Sequence, residues 1–133
     1  MITNKTFTSQ EKGWLDFFVK NIDVLGKADV IEEQLNNCSQ VKRDYSDYFL
    51  IMDFEVDREN VRLFDDVRSC EVQVLRDGAP TVLLMLFDEG IIESLEIFYA
   101  DSEKLDFRAM FKGNRMLLRF RDEEIYRDIG QED

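Results

Sequence analysis

The chain has 133 residues, a mass of 15.8 kDa and a composition of 44% hydrophobic and 35% charged residues, which suits one domain with one core and excludes a disordered segment. Its 29 acidic and 17 basic residues leave a formal charge of -12, a field that repels phosphates and excludes general nucleic-acid binding. No stretch approaches the roughly 20 consecutive apolar residues of a spanning helix, so no membrane partner is expected.

Thr8 followed three residues later by Glu11 forms a capping box, and the spacing predicts a helix starting there. Trp14, Leu15, Phe18 and Ile22 recur at helical intervals as one core-facing stripe, while Lys12, Asp16, Lys20 and Asp23 stay in water. Gly26 separates this helix from a shorter one over residues 28–37, in which Ile31 and Leu35 share a face. After Lys42 and Arg43 the period changes to two. Tyr48, Leu50, Met52, Phe54 and Val56 alternate with Phe49, Ile51, Asp53, Glu55 and Asp57, which predicts a strand in a half-covered sheet. The second of these faces starts apolar and ends in three carboxylates.

Residues 70–75 and 81–87 read as strands joined through Asp77-Gly78, with Pro80 lengthening the hairpin loop. Residues 82–87 are apolar on both faces and predict a central strand. Asp88-Glu89-Gly90 turns the chain into another strand over residues 91–100. Met116, Leu118 and Phe120 alternate with Leu117, Arg119 and Arg121, which predicts a last strand after a turn at Lys112-Gly113-Asn114; Asp122 and the residues after it are expected to fray. Phe64, Phe87, Phe98, Phe107, Phe111 and Phe120 are expected in the core. The whole chain, residues 1–133, reads as one α+β domain, its N-terminal helices packed on a curved antiparallel sheet of four to six strands.

The negative charge is concentrated. Residues 44–66 hold eight acids and two bases, residues 85–107 hold seven acids and one base, and the rest of the chain is balanced, so two segments of -6 account for the whole -12. Both include strands, so a sheet can unite them as one surface. Asp53, Glu55 and Asp57 share one strand face by their spacing. Such a face reads either as solvated and protective against edge aggregation, or as a docking surface for a basic partner, with a metal site as the remaining reading. Tyr45 and Tyr99 border the two acidic segments, as half-buried structural residues or as interface anchors.

Other chemistry finds little support in the sequence. Without histidine, Ser-His-Asp and Cys-His arrangements are ruled out. Asp101-Ser102-Glu103-Lys104-Leu105-Asp106 lacks the glycine and terminal glutamate of a calcium loop, no phosphate-cradling glycine motif occurs, and no cofactor is expected. Cys38 and Cys70 are too few and too far apart for a disulfide framework or a zinc motif and read as free thiols; no secretory signal follows Met1, which points to the cytosol.

The stretch Glu71-Val72-Gln73-Val74-Leu75-Arg76-Asp77-Gly78, then residues 81–87, then Gly90-Ile91-Ile92-Glu93-Ser94-Leu95-Glu96-Ile97-Phe98-Tyr99-Ala100-Asp101 resembles a pattern of small bacterial proteins encoded beside polymorphic toxins. In those proteins an apolar strand leads through an Asp/Glu-Gly turn to a Leu-Glu-Ile-Phe-type strand. The resemblance covers the central part of the chain and implies an immunity protein of a contact-dependent or polymorphic toxin system, a non-enzymatic binder that neutralises a cognate toxin domain. It transfers no binding residues. The charge pattern supplies the expected contacts, Asp53, Glu55, Asp57, Asp88, Glu89, Glu93, Asp101 and Glu103, and fits a basic toxin domain. Two further readings stay open: a small-molecule-binding or enzymatic domain with a pocket on the concave sheet face, and an adaptor for an unrelated basic protein.

Overall fold

A computed structural model describes residues 1–129. Helices α1 (Ser9–Ile22) and α2 (Ala28–Asn36) precede seven strands: β1 (Cys38–Tyr45), β2 (Phe49–Val56), β3 (Ser69–Leu75), β4 (Thr81–Asp88), β5 (Ile91–Tyr99), β6 (Arg115–Phe120) and β7 (Glu123–Asp128). All seven form one open antiparallel sheet in the order β1-β2-β5-β4-β3-β6-β7. The architecture is α+β, with more strands than the four to six expected. As its apolar composition requires, β4 occupies the middle of the sheet.

The start of α1 follows its capping box: Glu11 N–H donates to Thr8 Oγ1 at 3.1 Å, and Thr8 N–H donates to Glu11 Oε1 at 2.9 Å. Leu15, Phe18 and Ile22 are completely buried, and Trp14 nearly so. A left-handed Gly26, φ 72°, closes the turn after the helix and lets α2 begin at Ala28. Strand register then sorts the sheet into two faces. Leu50, Ile97, Leu83, Val72 and Leu118 stand opposite one another across five strands, each at most 3% exposed. The row joins Phe18, Ile22, Ile31 and Leu35 in one buried cluster, which also takes in Phe64, Leu105 and Met110 from the two long connections, residues 57–68 and 100–114. These connections let the chain cross the sheet: β2 lies beside β5, and β6 beside β3.

Two strands depart from the sequence expectation. Neither β1 nor β7 is legible in the sequence: residues 38–45 fall between the expected helix and strand, and residues from Asp122 onward are expected to fray. Both are edge strands and mostly polar, with Val41 and Ile125 packing from them against the core. Hairpin chemistry secures β1, because the Ser46 hydroxyl oxygen accepts from Tyr48 N–H at 3.0 Å and Phe49 N–H at 3.1 Å. The part of the fraying expectation that concerns residues 130–133 lies outside the described residues. Among the aromatics, Phe64 stacks on Phe87 at 4.8 Å and meets Phe120 edge-on within the core. Phe107 does not join them: it is 47% exposed, on the connection after β5. Phe111 is half-buried against Phe17, and Phe98 is half-buried on the second sheet face.

Gln34 is a core residue that the helical pattern does not announce. It is fully buried on α2; its Nε2 donates to Gly90 O at 2.8 Å and Arg62 O at 2.9 Å, and its Oε1 accepts from Ile92 N–H at 2.8 Å. One side chain thereby ties the helix to both the β4–β5 turn and the connection after β2. Among the described residues, no helix is long and apolar enough to cross a membrane.

Candidate functional site

The helices pack on the first face of the sheet, and the connection after β5 borders the second face at Ser102, beside Phe49 and Phe98. The register of the second face gives two rows. Phe49, Phe98, Val82, Gln73, Leu117 and Tyr126 form the first, and Asp44, Ile51, Glu96, Leu84, Glu71, Arg119 and Glu124 the second. Val82 and Leu117 are 4% and 3% exposed and lie outside the helix-side cluster. Phe49, Ile51, Leu84, Leu86 and Phe98 are only half-buried. An apolar strip therefore crosses a face that elsewhere bears charge.

The charge divides along the sheet. At the β6–β7 end the ions pair within the face: Arg119 with Glu124 at 3.0 Å and with Glu71 at 3.6 Å, and Arg115 with Asp128 at 3.7 Å. At the β1–β2–β5 end, Asp44, Asp53, Glu55 and Glu96 form no ion pair among the described residues, and Lys42, opposite Asp53, is the one cation beside them. Pairing of β2 with β5 brings the two acidic segments side by side, with Asp53 opposite Ser94 and Ile51 opposite Glu96. Asp53 and Glu96 are thus diagonal neighbours, roughly 7 Å apart by ordinary sheet geometry.

The expected contacts separate into two groups. Asp53, Glu55, Asp57, Asp88, Glu89 and Glu93 gather where β2 ends and β5 begins. Some are already engaged there: Asp57 accepts from Asn60 Nδ2 at 2.6 Å, and Asp88 accepts from Arg58 Nη2 at 2.8 Å. Glu89 occupies the β4–β5 turn with φ 51°, and Glu93 is the extra residue of a bulge against β4. Asp101 and Glu103 lie beyond the other end of β5, apart from this group. Glu96, Asp44 and the apolar strip complete the face and are not singled out by sequence, because only the pairing of β1, β2 and β5 reveals that they share a side.

Tyr99 is buried, and Tyr45, 39% exposed, has its hydroxyl engaged. Tyr99 is 5% exposed on the helix side, where its hydroxyl accepts from Asp106 N–H at 3.1 Å and the Arg76 guanidinium lies 4.3 Å from its ring centre. Tyr45 also points to the helix side, and its hydroxyl donates to the Glu11 carboxylate. That carboxylate, 2% exposed, further accepts from Thr8 N–H and from Arg43 Nε and Nη2, the last at 2.8 Å, while Arg43 Nη2 also reaches Thr6 O at 2.7 Å. Burial pushes the Glu11 carboxyl up, but the Arg43, Tyr45 and Thr8 donors together outweigh it and bring it down to about 2. Burial and the neighbouring carboxylate raise the Tyr45 phenol. This network ties the start of α1 to edge strand β1 and is structural.

The thiols are free and buried; loss of solvent raises the Cys38 thiol and pushes the Cys70 thiol up to about 12. No group of three metal-binding side chains converges among the described residues. On the second face a depression of about 300 Å³ between Tyr48, Phe49, Ile51, Glu96, Phe98 and Ser102 contains one carboxylate, and another of about 250 Å³ is bordered by Asp53, Glu55, Gln40 and Lys42. The chain matches no protein-family model, no curated protein and no solved structure.

Proposed function

We propose that the protein is a binding protein that neutralises a cognate bacterial toxin domain, docking a basic surface of it on the β1–β2–β5 end of the second sheet face. The observation that supports this most is the set of unpaired carboxylates Asp44, Asp53, Glu55 and Glu96 around half-buried Phe49, Ile51 and Phe98. Exposed apolar strips rimmed by charge mark protein contacts, and unpaired charge of one sign speeds encounter with a partner of the other sign while repelling unsuitable ones. A standard interface takes about 800 Å² from each partner, well within the 7678 Å² surface of this chain. The pattern in residues 71–101 that resembles immunity proteins points the same way, toward a partner encoded beside this chain and a meeting in the cytosol.

Co-expression with the toxin domain encoded beside it tests the proposal. The two polypeptides are expected to co-purify and growth to be protected, and Asp53→Lys/Glu96→Lys is expected to lose both while retaining its fold. Co-purification and protection unchanged in that variant would contradict the docking face, and failure to bind or protect against any neighbouring toxin would contradict the function. The alternative of a small-molecule or enzymatic pocket on this face has two open depressions, one beside Glu96 and one beside Asp53, Glu55 and Lys42, and no specific observation favours it.

A further inference from the structure

β7 is the last strand of the open sheet, so one side of its backbone has no strand beside it. The β6–β7 pairing runs without a bulge from Phe120 opposite Glu123 to Arg115 opposite Asp128, and Ile129 N–H carries the ladder on by donating to Asn114 O at 3.1 Å. Antiparallel ladders alternate, so residues 123, 125 and 127 also turn their backbone groups toward β6, whereas residues 124, 126 and 128 turn theirs outward. Such a row of free N–H and C=O groups is a template for another strand.

The charges of β7 divide by face. On the second face both acids are met within the chain, Glu124 by Arg119 at 3.0 Å and Asp128 by Arg115 at 3.7 Å. On the helix side, where β7 stands opposite Phe120, Leu118 and Met116, Glu123 and Arg127 form no ion pair among the described residues. Arg127 is oriented by Nη2 donating to Asn21 Oδ1 at 3.3 Å, and its Nε has no acceptor. These two charges cannot meet within one chain, because four residues of strand set their Cα atoms about 13 Å apart. They do lie symmetrically about half-buried Ile125, one two residues before it and the other two after.

A two-fold axis at Ile125 therefore aligns Glu123 of one copy with Arg127 of the other, twice, with Ile125 against Ile125 between them. Glu124 then stands opposite Tyr126, and the backbone groups that these residues turn outward exchange both hydrogen bonds. Glu123 and Arg127 fall at the alternate positions, where paired Cα atoms approach to about 4.5 Å and side chains are closest. Asp122 falls opposite Asp128, whose charge Arg115 already meets. Moving the axis to Tyr126 would set Glu124 against Asp128 twice, and moving it to Glu124 or Arg127 would set that charge against itself. Charge singles out the Ile125 register.

We propose that a second copy of this chain adds to the β7 edge about a two-fold axis at Ile125, joining the two sheets antiparallel. The β1 edge does not serve, because Asp44, Asp53, Glu55 and Glu96 at that end of the sheet have no ion pairs among the described residues and repel their own copies. A strand edge of six residues buries less than the roughly 800 Å² per partner of a standard interface, so the dimer is weak and reversible. β1 and β7 are opposite ends of the sheet, so the contact leaves the β1–β2–β5 end free and stands independently of the toxin reading.

The test is sedimentation velocity of the full chain from about 0.01 to 1 mM. The weight-average mass is expected to rise with concentration from 15.8 kDa toward twice that. Glu123→Arg and Arg127→Glu each set like charges opposite one another and are each expected to weaken self-association about tenfold or more. An equal mixture of the two variants restores opposite charges at both pairs and is expected to associate as wild type does. Tyr126→Pro removes an outward N–H and no bond to β6, and is expected to stay monomeric with a native circular-dichroism spectrum. Glu123 and Tyr126 are both exposed, so these two variants decide the matter even where Arg127→Glu loses its native spectrum. A mass of 15.8 kDa at every concentration, or self-association unchanged in either Glu123→Arg or Tyr126→Pro, would overturn the proposal.

Discussion

The substitution Glu11→Gln isolates the ion network that holds α1 to edge strand β1. The folded-state carboxyl lies at about 2 against an ordinary 4.5, and each unit of such a difference corresponds to about 1.4 kcal/mol, so the ionised group contributes about 3 kcal/mol. Because the folded value is the lower one, that contribution is complete above the unfolded value and is lost as the pH falls through the folded one. The glutamine amide would present a donor where Arg43 and the Tyr45 hydroxyl now donate, leaving a donor facing donors and Arg43 without its counter-charge. Urea denaturation of both proteins is the assay. The variant is expected to be about 3 kcal/mol less stable at pH 7, with the gap falling to about half that near pH 3 as Glu11 protonates in the unfolded wild-type chain but not yet in the folded one. Asp29, Glu33 and Asp65, whose carboxyls are also lowered by their Arg62, Lys27 and Arg121 partners, are common to both proteins and cancel in the difference. A gap below about 0.5 kcal/mol at pH 7, or one unchanged at pH 3, would refute the assignment.

Other expectations concern the core and the thiols. Gln34→Leu leaves Ile92 N–H and the Arg62 carbonyl without their partner, while Gly90 O keeps the Phe64 N–H, and is expected to cost about 3 kcal/mol in chemical denaturation. Phe18→Ala, at a fully buried site, is expected to cost about 3–5 kcal/mol by the same measurement. Gly90→Ala places a Cβ 2.8 Å from Phe64 O at φ 81° and is expected to lower stability by about 2 kcal/mol, with the loss appearing as a lower denaturation midpoint. Cys38 and Cys70 are expected to resist alkylation in the native protein at pH 8 and to react fully in denaturant, followed by mass spectrometry.

The parts of the fold that sequence reveals are those where burial imposes a period. Trp14, Leu15, Phe18 and Ile22 write α1 plainly because a helix with one buried side must repeat near 3.6, and residues 82–87 declare a middle strand because they have no polar side, although Leu84 and Leu86 on the second face are only half-buried. The edge strands escape this logic. β1 and β7 send few side chains into the core, so nothing in residues 38–45 or 123–128 has to alternate, and their strand character comes from the neighbours that pair with them. The site follows the same division. Asp53 and Glu55 are visible from spacing alone, whereas Asp44 and Glu96 join them only through long-range pairing with β2. Tyr99 shows the opposite limit: its place beside an acidic segment suggests an anchor, but the register turns it inward.

The central claim, that unpaired carboxylates on β1, β2 and β5 meet a cationic protein, is tested most directly by the association rate with the toxin domain encoded beside this chain, measured by stopped flow across ionic strength. The rate constant is expected to fall at least tenfold between about 0.02 and 0.3 M salt, and to lose most of that dependence in Asp53→Lys/Glu96→Lys. A rate indifferent to salt, or the same salt dependence in both proteins, would contradict it.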